Sequence, residues 1–167
     1  MRVIPLTRGA LAIVDDADYE AVSQFRWQVV DCDGHLYARR TRQYAERTEG
    51  ISTSEYMHRF LTGWPLVDHV NGIGLDNRRA NLRPASPSEN CANRAKTLRG
   101  SSSPFKGVTH YRRTGRWRAY VTEGGRQFHI GYFDTAEEAA RAYDAEASAR
   151  FGEFALLNFQ DQSRSSA

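Results

Sequence analysis

The sequence predicts an α+β protein, and three observations support this prediction. Residues 105–133 contain three runs of alternating polar and apolar residues separated by turns with glycine, which is typical of a three-stranded antiparallel sheet. Residues 134–152 are rich in alanine and repeat their apolar positions at helical spacing. Short strand-like and helix-like segments alternate before residue 63, which indicates a further small α/β part.

Residues 1–54 are predicted to be an N-terminal α/β extension. The segments "RVIPL" and "ALAIV" have the composition of short strands, and the acidic start of "DDADYEAVSQF" predicts a helix capped by Asp15 or Asp16. The runs "RWQVV" and "LYARRT" predict a hairpin around Asp33-Gly34. The polar residues 43–54 predict a loop. A purely structural role is one interpretation of this extension.

The C-terminal part is predicted to be a three-stranded antiparallel sheet packed on one helix, over residues 105–159. The helix begins with a capping box from Thr135 to Glu138 and ends at Gly152. A basic linker that ends in Ser-Ser-Ser-Pro is expected to precede it, at 95–104. Residues 160–167 are expected to be a disordered tail.

Positive charge is concentrated in the middle of the chain. Residues 78–132 hold twelve Lys and Arg against two acidic residues, whereas 1–77 hold eight against eleven and 133–167 hold three against seven. A local excess of ten positive charges is typical of a surface that binds nucleic acid. The alternative is a solvated basic surface without a partner.

Cationic and aromatic residues are expected on the sheet face away from the helix. The alternation within the strands assigns to this face Arg112, Arg116, Arg118, Tyr120, Arg126 and His129. Arginine contacts phosphates and guanine edges, and a sheet can enter the major groove of DNA. The alternative is a charged solvent face on a small α+β domain.

A second candidate site lies in the stretch "VDHVNGIGLDNRRANLRPASPSEN", residues 67–90. Its pattern of His, Asp and Asn is either a loop-rich connector or an active site. Histidine is the natural general base for activating water, and carboxylate and amide oxygens suit Mg²⁺ or Mn²⁺. An Asn can also hold a His in one tautomer. Together these roles describe a one-metal phosphodiesterase.

This stretch, with "MHRFLTG" before it, resembles the HNH endonuclease family, in the homing branch where Asn replaces the last His. The resemblance covers 55–94 and rests on "DH", "DNRRANLR" and "SEN". It implies a ββα-metal (His-Me finger) nuclease fold. By the matching positions, His69 is the general base, Asn81 orients it, and Asp68 and Asn90 bind Mg²⁺ or Mn²⁺.

Three further residues near this stretch have open roles. His58 is a possible auxiliary ligand of metal or phosphate, although a structural role is favoured. Arg78 and Arg79 are candidates for contact with DNA phosphates, and the alternative for each is simple surface charge.

The C-terminal module resembles the DNA-binding domain of plant ethylene-response factors, the AP-two/ERF family. The resemblance covers 105–159 and rests on the Gly-Val pair, the Trp-containing second strand, "GYFDTAEEAARAYD" and "LNF". It implies a sheet in the DNA major groove, with Lys106, Arg116, Trp117 and His129 as candidate contacts. Thr109, Tyr111 and Thr122 stand where the family often has Arg, so its GC-rich target is not carried over.

We therefore expect a metal-dependent, homing-type DNA endonuclease with an appended DNA-binding module, which nicks double-stranded DNA. The alternative is a DNA-binding transcription regulator whose nuclease half is inactive; an RNA-directed nuclease is a further rival. A monomer is favoured. No apolar run has the length of a membrane span, so a cytoplasmic location is expected, with a phage or bacterial mobile element as origin. Cys32 and Cys91 lack the spacing of a zinc site and are expected to be reduced thiols.

Overall fold

The computed structural model describes residues 1–42, 53–96 and 101–159 and divides the chain into two compact units, Met1–Ala85 and Ser86–Ala167. The strands of the described residues pair in antiparallel sheets, and helices lie between them in the chain. This arrangement is compatible with the predicted α+β class. Most of the predicted loop at 43–54, and the predicted tail at 160–167, lie outside the described residues.

The described part of the first unit contains three small sheets and two α-helices. Its elements are β1 (Arg2–Pro5), β2 (Leu11–Val14), α1 (Asp16–Ser23), β3 (Gln28–Cys32), β4 (His35–Thr41), β5 (Ser54–Tyr56), α2 (Met57–Thr62), β6 (Val67–His69) and β7 (Leu82–Pro84). The sheet orders are β1-β2, β3-β4-β5 and β6-β7. The predicted hairpin at Asp33-Gly34 is confirmed, and both of these residues have the positive φ angles that its tight turn requires.

One hydrophobic core joins the predicted extension to the residues that follow it. Buried side chains of Ile4, Val14, Val22 and Trp27 pack with Met57, and Phe60 packs against this cluster. The indole of Trp27 also donates a 2.8 Å hydrogen bond to the carbonyl of Val22. The structure therefore has one unit where the sequence predicted a boundary at residue 54.

The β6-β7 hairpin encloses a long loop that is anchored to β2. Along the hairpin, Asp68 pairs with Arg83 and His69 with Leu82. The main chain of Ile13 accepts a hydrogen bond from Asn77 and donates one to Leu75, both at 2.8 Å. These bonds fix the part of the loop that leads back to β7.

The second unit contains α3 (Pro87–Asn93), β8 (Val108–Tyr111), β9 (Arg116–Glu123), β10 (Arg126–Phe133) and α4 (Ala136–Phe151). The predicted three-stranded meander is confirmed, with β9 in the centre. The predicted capping box at the start of α4 is also confirmed. Buried alanines of α4 pack against the sheet, which brings the helix close to it. None of the described helices combines the length and apolar character needed to cross a membrane.

Helix α3 is built into this second unit. Ala92 lies in one core cluster with Val121, Tyr143 and Phe151, and its carbonyl accepts a 3.1 Å hydrogen bond from the main chain of Leu156. The hydroxyl of Ser88 accepts a 2.9 Å hydrogen bond from the main chain of Gly124. The predicted nuclease segment, 55–94, therefore spans the end of one unit and the start of the next.

The described part of the predicted linker is also ordered by specific contacts. The ammonium of Lys96 donates to the carbonyls of Phe105 and Val108, and Ser103 is buried. The hydroxyl of Ser103 accepts a hydrogen bond from the main chain of Phe105 at 3.1 Å. Residues 97–100 of the predicted linker lie outside the residues that the structure describes.

Candidate nucleic-acid interface and the buried histidine cluster

The strand register determines which side chains share the face of the sheet opposite α4. Val108 and Ala119 are fully buried against α4, so residues of the opposite parity point away from the helix. A register shift between His129 and Gly131 keeps Tyr132 on that outer face, paired with Arg118. We call this the outer face; it consists of Thr109, Tyr111, Arg116, Arg118, Tyr120, Thr122, Gln127, His129 and Tyr132.

Aromatic rings and guanidinium groups form contacts across the outer face. The ring of Tyr132 lies 4.7 Å from that of His129 and 5.3 Å from that of Tyr111, measured between centroids. The guanidinium carbon of Arg118 lies 5.2 Å from the ring centre of Tyr120. Flat rings and cations on one sheet face suit contact with phosphates, sugars and base edges.

Four of the predicted DNA contacts lie on or beside the outer face, namely Arg112, Arg116, Arg118 and His129. His129 and Arg116 are exposed there, and Arg112 is exposed in the turn after β8. The Nε of Arg116 donates to the carboxylate of Asp134 at 3.0 Å. Because both side chains are largely solvent-exposed, this ion pair is weak and leaves the guanidinium available to a phosphate.

Trp117 and Arg126 lie on the other side of the sheet. Trp117 pairs with His110 and Phe133 and packs against the cluster that includes Ala119, so its predicted role as a DNA contact is withdrawn. Arg126 pairs with Glu123, whose carboxylate binds Arg150 of α4 at 2.7 Å. Its predicted place on the DNA-facing side is therefore also corrected.

Lys106 points into the second unit instead of outward. Its ammonium donates hydrogen bonds to the carbonyls of Cys91, Ala92 and Arg94 at the C-terminal end of α3. Burial lowers the pKa of this amine to about 8, with a smaller opposing effect from Cys91. The predicted DNA contact is corrected, because Lys106 satisfies main-chain carbonyls that the helix end leaves open.

Arg78 and Arg79 are held by carboxylates of the first unit. Arg78 donates from Nε and Nη2 to the two oxygens of Asp76, at 2.8 and 2.6 Å. Arg79 binds both oxygens of Asp18 at 2.8 and 2.7 Å, while its main chain donates to Asp15. These contacts brace the loop against α1, while both guanidinium groups stay partly exposed, and their predicted contacts with DNA remain predictions.

Asp68 and His69 are both buried on β6. Arg83 on β7 binds one oxygen of Asp68 from Nε at 2.8 Å and from Nη2 at 2.7 Å. Burial lowers the pKa of His69, and Asn77, Asp68 and Asp76 oppose that shift. The imidazole of His69 is therefore neutral at physiological pH, which is the form that a general base needs.

His58 lies against His69 in a cluster of aromatic rings. The two imidazole centroids are 5.0 Å apart, and the ring of Tyr56 stacks on His58 at 5.3 Å. Burial, followed by the proximity of His69 and Arg59, lowers the pKa of His58 to about 3. His58 is thus a neutral, buried side chain, and its Nδ1 has no hydrogen-bond partner among the described residues.

Asn81 fixes the loop of the β6-β7 hairpin. Its Oδ1 accepts a 2.9 Å hydrogen bond from the main chain of Asn71, and its Nδ2 donates to the carbonyl of Asp76 at 2.8 Å. Both groups of the amide thus bind loop main chain, whereas the sequence predicted that this amide orients His69. In this geometry Asn81 acts on His69 indirectly, because it holds the loop that follows His69.

Asp76 and Asn77 are central to this loop, although the sequence assigned them no site role. Asp76 is almost fully buried and binds Arg78 and the amide of Asn71, and these hydrogen bonds lower its pKa. Asn77 is fully buried next to His69. The Asp-Asn pair before two arginines was the available signal, but turn-forming residues are common in loops.

Asp68 and Asn90 are the predicted ligands of a metal ion, and they lie on β6 and α3. Among the described residues, no group of three or more His, Cys, Asp and Glu side chains is placed to hold a metal. The carboxylate of Asp68 is ion-paired with Arg83, and its role as a ligand of Mg²⁺ or Mn²⁺ stays a prediction. Asn90 lies on α3 of the second unit, half-buried, and its metal-binding role stays a prediction.

Comparison with known families identifies the domain that carries the outer face. Residues 103–153 match the model of the AP2 domain. This part of the chain is therefore similar over its whole matched length to an AP2 domain. The match covers less than a third of the 167 residues and leaves the first unit unassigned.

Similar proteins include plant transcription factors and a viral protein. The chain is 45% identical over 88 residues to the AP2-like ethylene-responsive transcription factor TOE2 of Arabidopsis thaliana, which is 53% of this chain and 18% of TOE2. It is 51% identical over 67 residues to APETALA2-like protein 2 of Oryza sativa subsp. indica, covering 38% and 15%. It is also 36% identical over 92 residues to the uncharacterized HNH endonuclease L560 of Acanthamoeba polyphaga mimivirus, covering 55% and 46%. The chain spans less than half the length of each of these relatives.

Proposed function

We propose that this protein binds duplex DNA through the outer face of the β8-β9-β10 sheet and acts as a DNA-binding regulator. The observation that carries the proposal is the register, which groups Arg116, Arg118, His129 and Tyr132 on one side of the sheet. The helix covers the opposite side, so this face is the one that can enter a groove.

The distribution of charge also supports the outer face as the surface that contacts DNA. None of the outer-face residues is acidic, and the carboxylates beside the sheet, Glu123 and Asp134, are paired with arginines. Phosphate contacts supply affinity by releasing counterions, so binding of this kind weakens as salt is raised. The regulator role rests on the similarity to TOE2 of Arabidopsis thaliana, whose name describes a transcription factor.

Duplex selection from a randomised library, followed by fluorescence anisotropy with the enriched duplex, tests this function. We expect Arg116→Ala together with Arg118→Ala to weaken binding at least tenfold and to reduce the salt dependence. Arg141→Ala, on the exposed side of α4, removes the same kind of charge from the other side of the unit and is the matched control. Equal losses from the outer-face pair and from Arg141→Ala would contradict the proposal.

A second candidate function is hydrolysis of DNA phosphodiester bonds by the first unit. The observation in its favour is a buried, neutral His69 beside a loop that Asn81 holds in place. The similarity to the viral protein that is named an HNH endonuclease supports the same candidate. In such a reaction His69 accepts a proton from the attacking water. Mg²⁺ or Mn²⁺ is the cofactor that we propose for it, to stabilise charge on the departing oxygen.

Conversion of supercoiled plasmid to the nicked circle tests the second candidate. The intact protein, incubated with Mg²⁺ or with Mn²⁺, is compared with His69→Ala and with Asp68→Asn. Cleavage by the intact protein that both variants lose supports a nuclease. Binding without cleavage under either metal leaves the regulator as the function.

A further inference from the structure

Arg118 has the central position on the outer face. It lies in the middle of β9, the central strand, and its cross-strand neighbours are Thr109 on β8 and Tyr132 on β10. It is half-buried by these neighbours, whereas Arg116 lies at the end of the strand and is exposed. A ligand that covers the sheet must therefore meet Arg118.

The guanidinium of Arg118 is oriented by neutral groups. Its Nη2 donates to the amide oxygen of Gln127 at 3.4 Å, and its carbon lies 5.2 Å from the ring centre of Tyr120. Among the described residues no carboxylate lies within ion-pair distance of Arg118. Arg118 therefore keeps its full charge and most of its donors for a ligand.

The two arginines of β9 thus differ in environment. The Arg116 guanidinium is ion-paired with Asp134 in solvent, whereas the half-buried Arg118 contacts the amide of Gln127 and the ring of Tyr120. A mobile cation at an edge suits a phosphate, which can be approached from many directions. A planar, oriented guanidinium suits the paired acceptors O6 and N7 of guanine.

We propose that Arg118, oriented by Gln127, reads a guanine edge in the major groove, while Arg116 contacts a backbone phosphate. This inference rests on the proposed binding of duplex DNA by the outer face. Gln127 is a positioning residue in this scheme, because it acts through the Arg118 guanidinium. Arg118 is then the residue that determines sequence preference at one base pair.

Base substitution within a selected duplex tests the assignment. The full protein first selects a duplex from a randomised library, and each dG of that duplex is then replaced in turn by 7-deazaguanine, which lacks the N7 acceptor. We expect the intact protein to lose affinity at least about fivefold at one guanine. Arg118→Met removes the donors that would meet the guanine edge and keeps an apolar stem, and it should no longer distinguish the two bases there.

Arg116→Met is the matched control on the same strand. It should weaken binding to every duplex alike and keep the wild-type sensitivity at that guanine, since a phosphate contact does not read the base. Gln127→Ala should lower the sensitivity, and the double variant with Arg118→Met should lose no more than Arg118→Met alone, as expected for two residues that act as one unit. Thermal melting of each variant shows whether it folds.

The outcomes separate the two proposals. Persistence of the wild-type pattern in Arg118→Met, or its loss in Arg116→Met alone, overturns the assignment of Arg118 while leaving DNA binding intact. Failure of the intact protein to enrich or bind any duplex overturns the proposed function, and with it this inference.

Discussion

The ammonium of Lys106 donates a 2.7 Å hydrogen bond to the main-chain carbonyl of Arg94, the residue that caps α3. The same ammonium also binds the carbonyls of Cys91 and Ala92. One side chain at the start of the sheet thus satisfies the C-terminal end of a helix that the family model, beginning at residue 103, does not include. Lys106 is therefore a structural residue of the second unit.

Replacement of Lys106 by Met should lower stability without changing DNA contacts. The variant keeps the apolar stem but leaves the α3 carbonyls without their donor, and we expect the free energy of unfolding to fall by about 1–3 kcal/mol. Denaturant unfolding measures this change. Under conditions where the variant is folded, anisotropy should show DNA affinity within about twofold of wild type; a loss of affinity at unchanged stability would restore the DNA contact.

The stability of the second unit should rise with pH above 8. Burial lowers the pKa of Lys106 from 10.5 to about 8, so between these values the folded protein binds fewer protons than the unfolded chain. Stability then increases with pH, because unfolding takes up a proton and this uptake becomes less favourable as the pH rises. The difference in unfolding free energy between wild type and Lys106→Met should grow from pH 7.5 to pH 10. A constant difference would show that burial does not shift this amine.

Gly107→Ala should disrupt the junction between the sheet and α4. Gly107 has a φ of +69°, and a Cβ there would lie 2.0 Å from a ring carbon of Tyr143 and 2.7 Å from the carbonyl oxygen of Tyr120. We expect a loss of about 3 kcal/mol or more, measured by thermal unfolding. Gly115→Ala is the control, since its φ of +71° is similar but its Cβ would meet no atom within 4 Å; it should cost about 1–2 kcal/mol.

Trp117→Ala should destabilise the second unit instead of removing a DNA contact. The half-buried indole packs beside the alanines of α4 and lies 4.9 Å from the ring of His110. We expect a loss of about 2 kcal/mol in unfolding free energy. DNA affinity should follow the folded fraction alone, which combined melting and anisotropy at several temperatures can determine. Weaker binding by fully folded Trp117→Ala would contradict the placement.

Much of the fold follows from local patterns in the sequence. The meander, the capping box at Thr135 and Glu138, and the hairpin at Asp33-Gly34 were all predicted, because each depends on residues close together in the chain. The α+β class follows from the same elements. Alternation alone also excludes a shared face for Arg116 and Trp117, because adjacent residues on a strand point to opposite faces.

The side-chain partners were much harder to predict. Arg79 binds Asp18, which is 61 residues away, and Lys106 binds the end of a helix assigned by resemblance to another domain. Arg79 and Lys106 were both predicted to contact DNA, because the sequence shows the charge of a side chain but not its partners. The proposed roles of His69, Asp68 and Asn90 in catalysis remain predictions.

The packing of Ala92 makes α3 part of the core of the second unit, although α3 precedes the residues that match the family model. A DNA-binding domain transplanted from this protein at residue 103 would lose α3 and uncover the apolar side chains of Val121, Tyr143 and Phe151. Such a graft would be prone to aggregation, because newly exposed apolar patches promote self-association. The portable module therefore begins at Ser86, where the α3 cap forms, and any gene fusion that moves this domain intact must carry those extra residues with it.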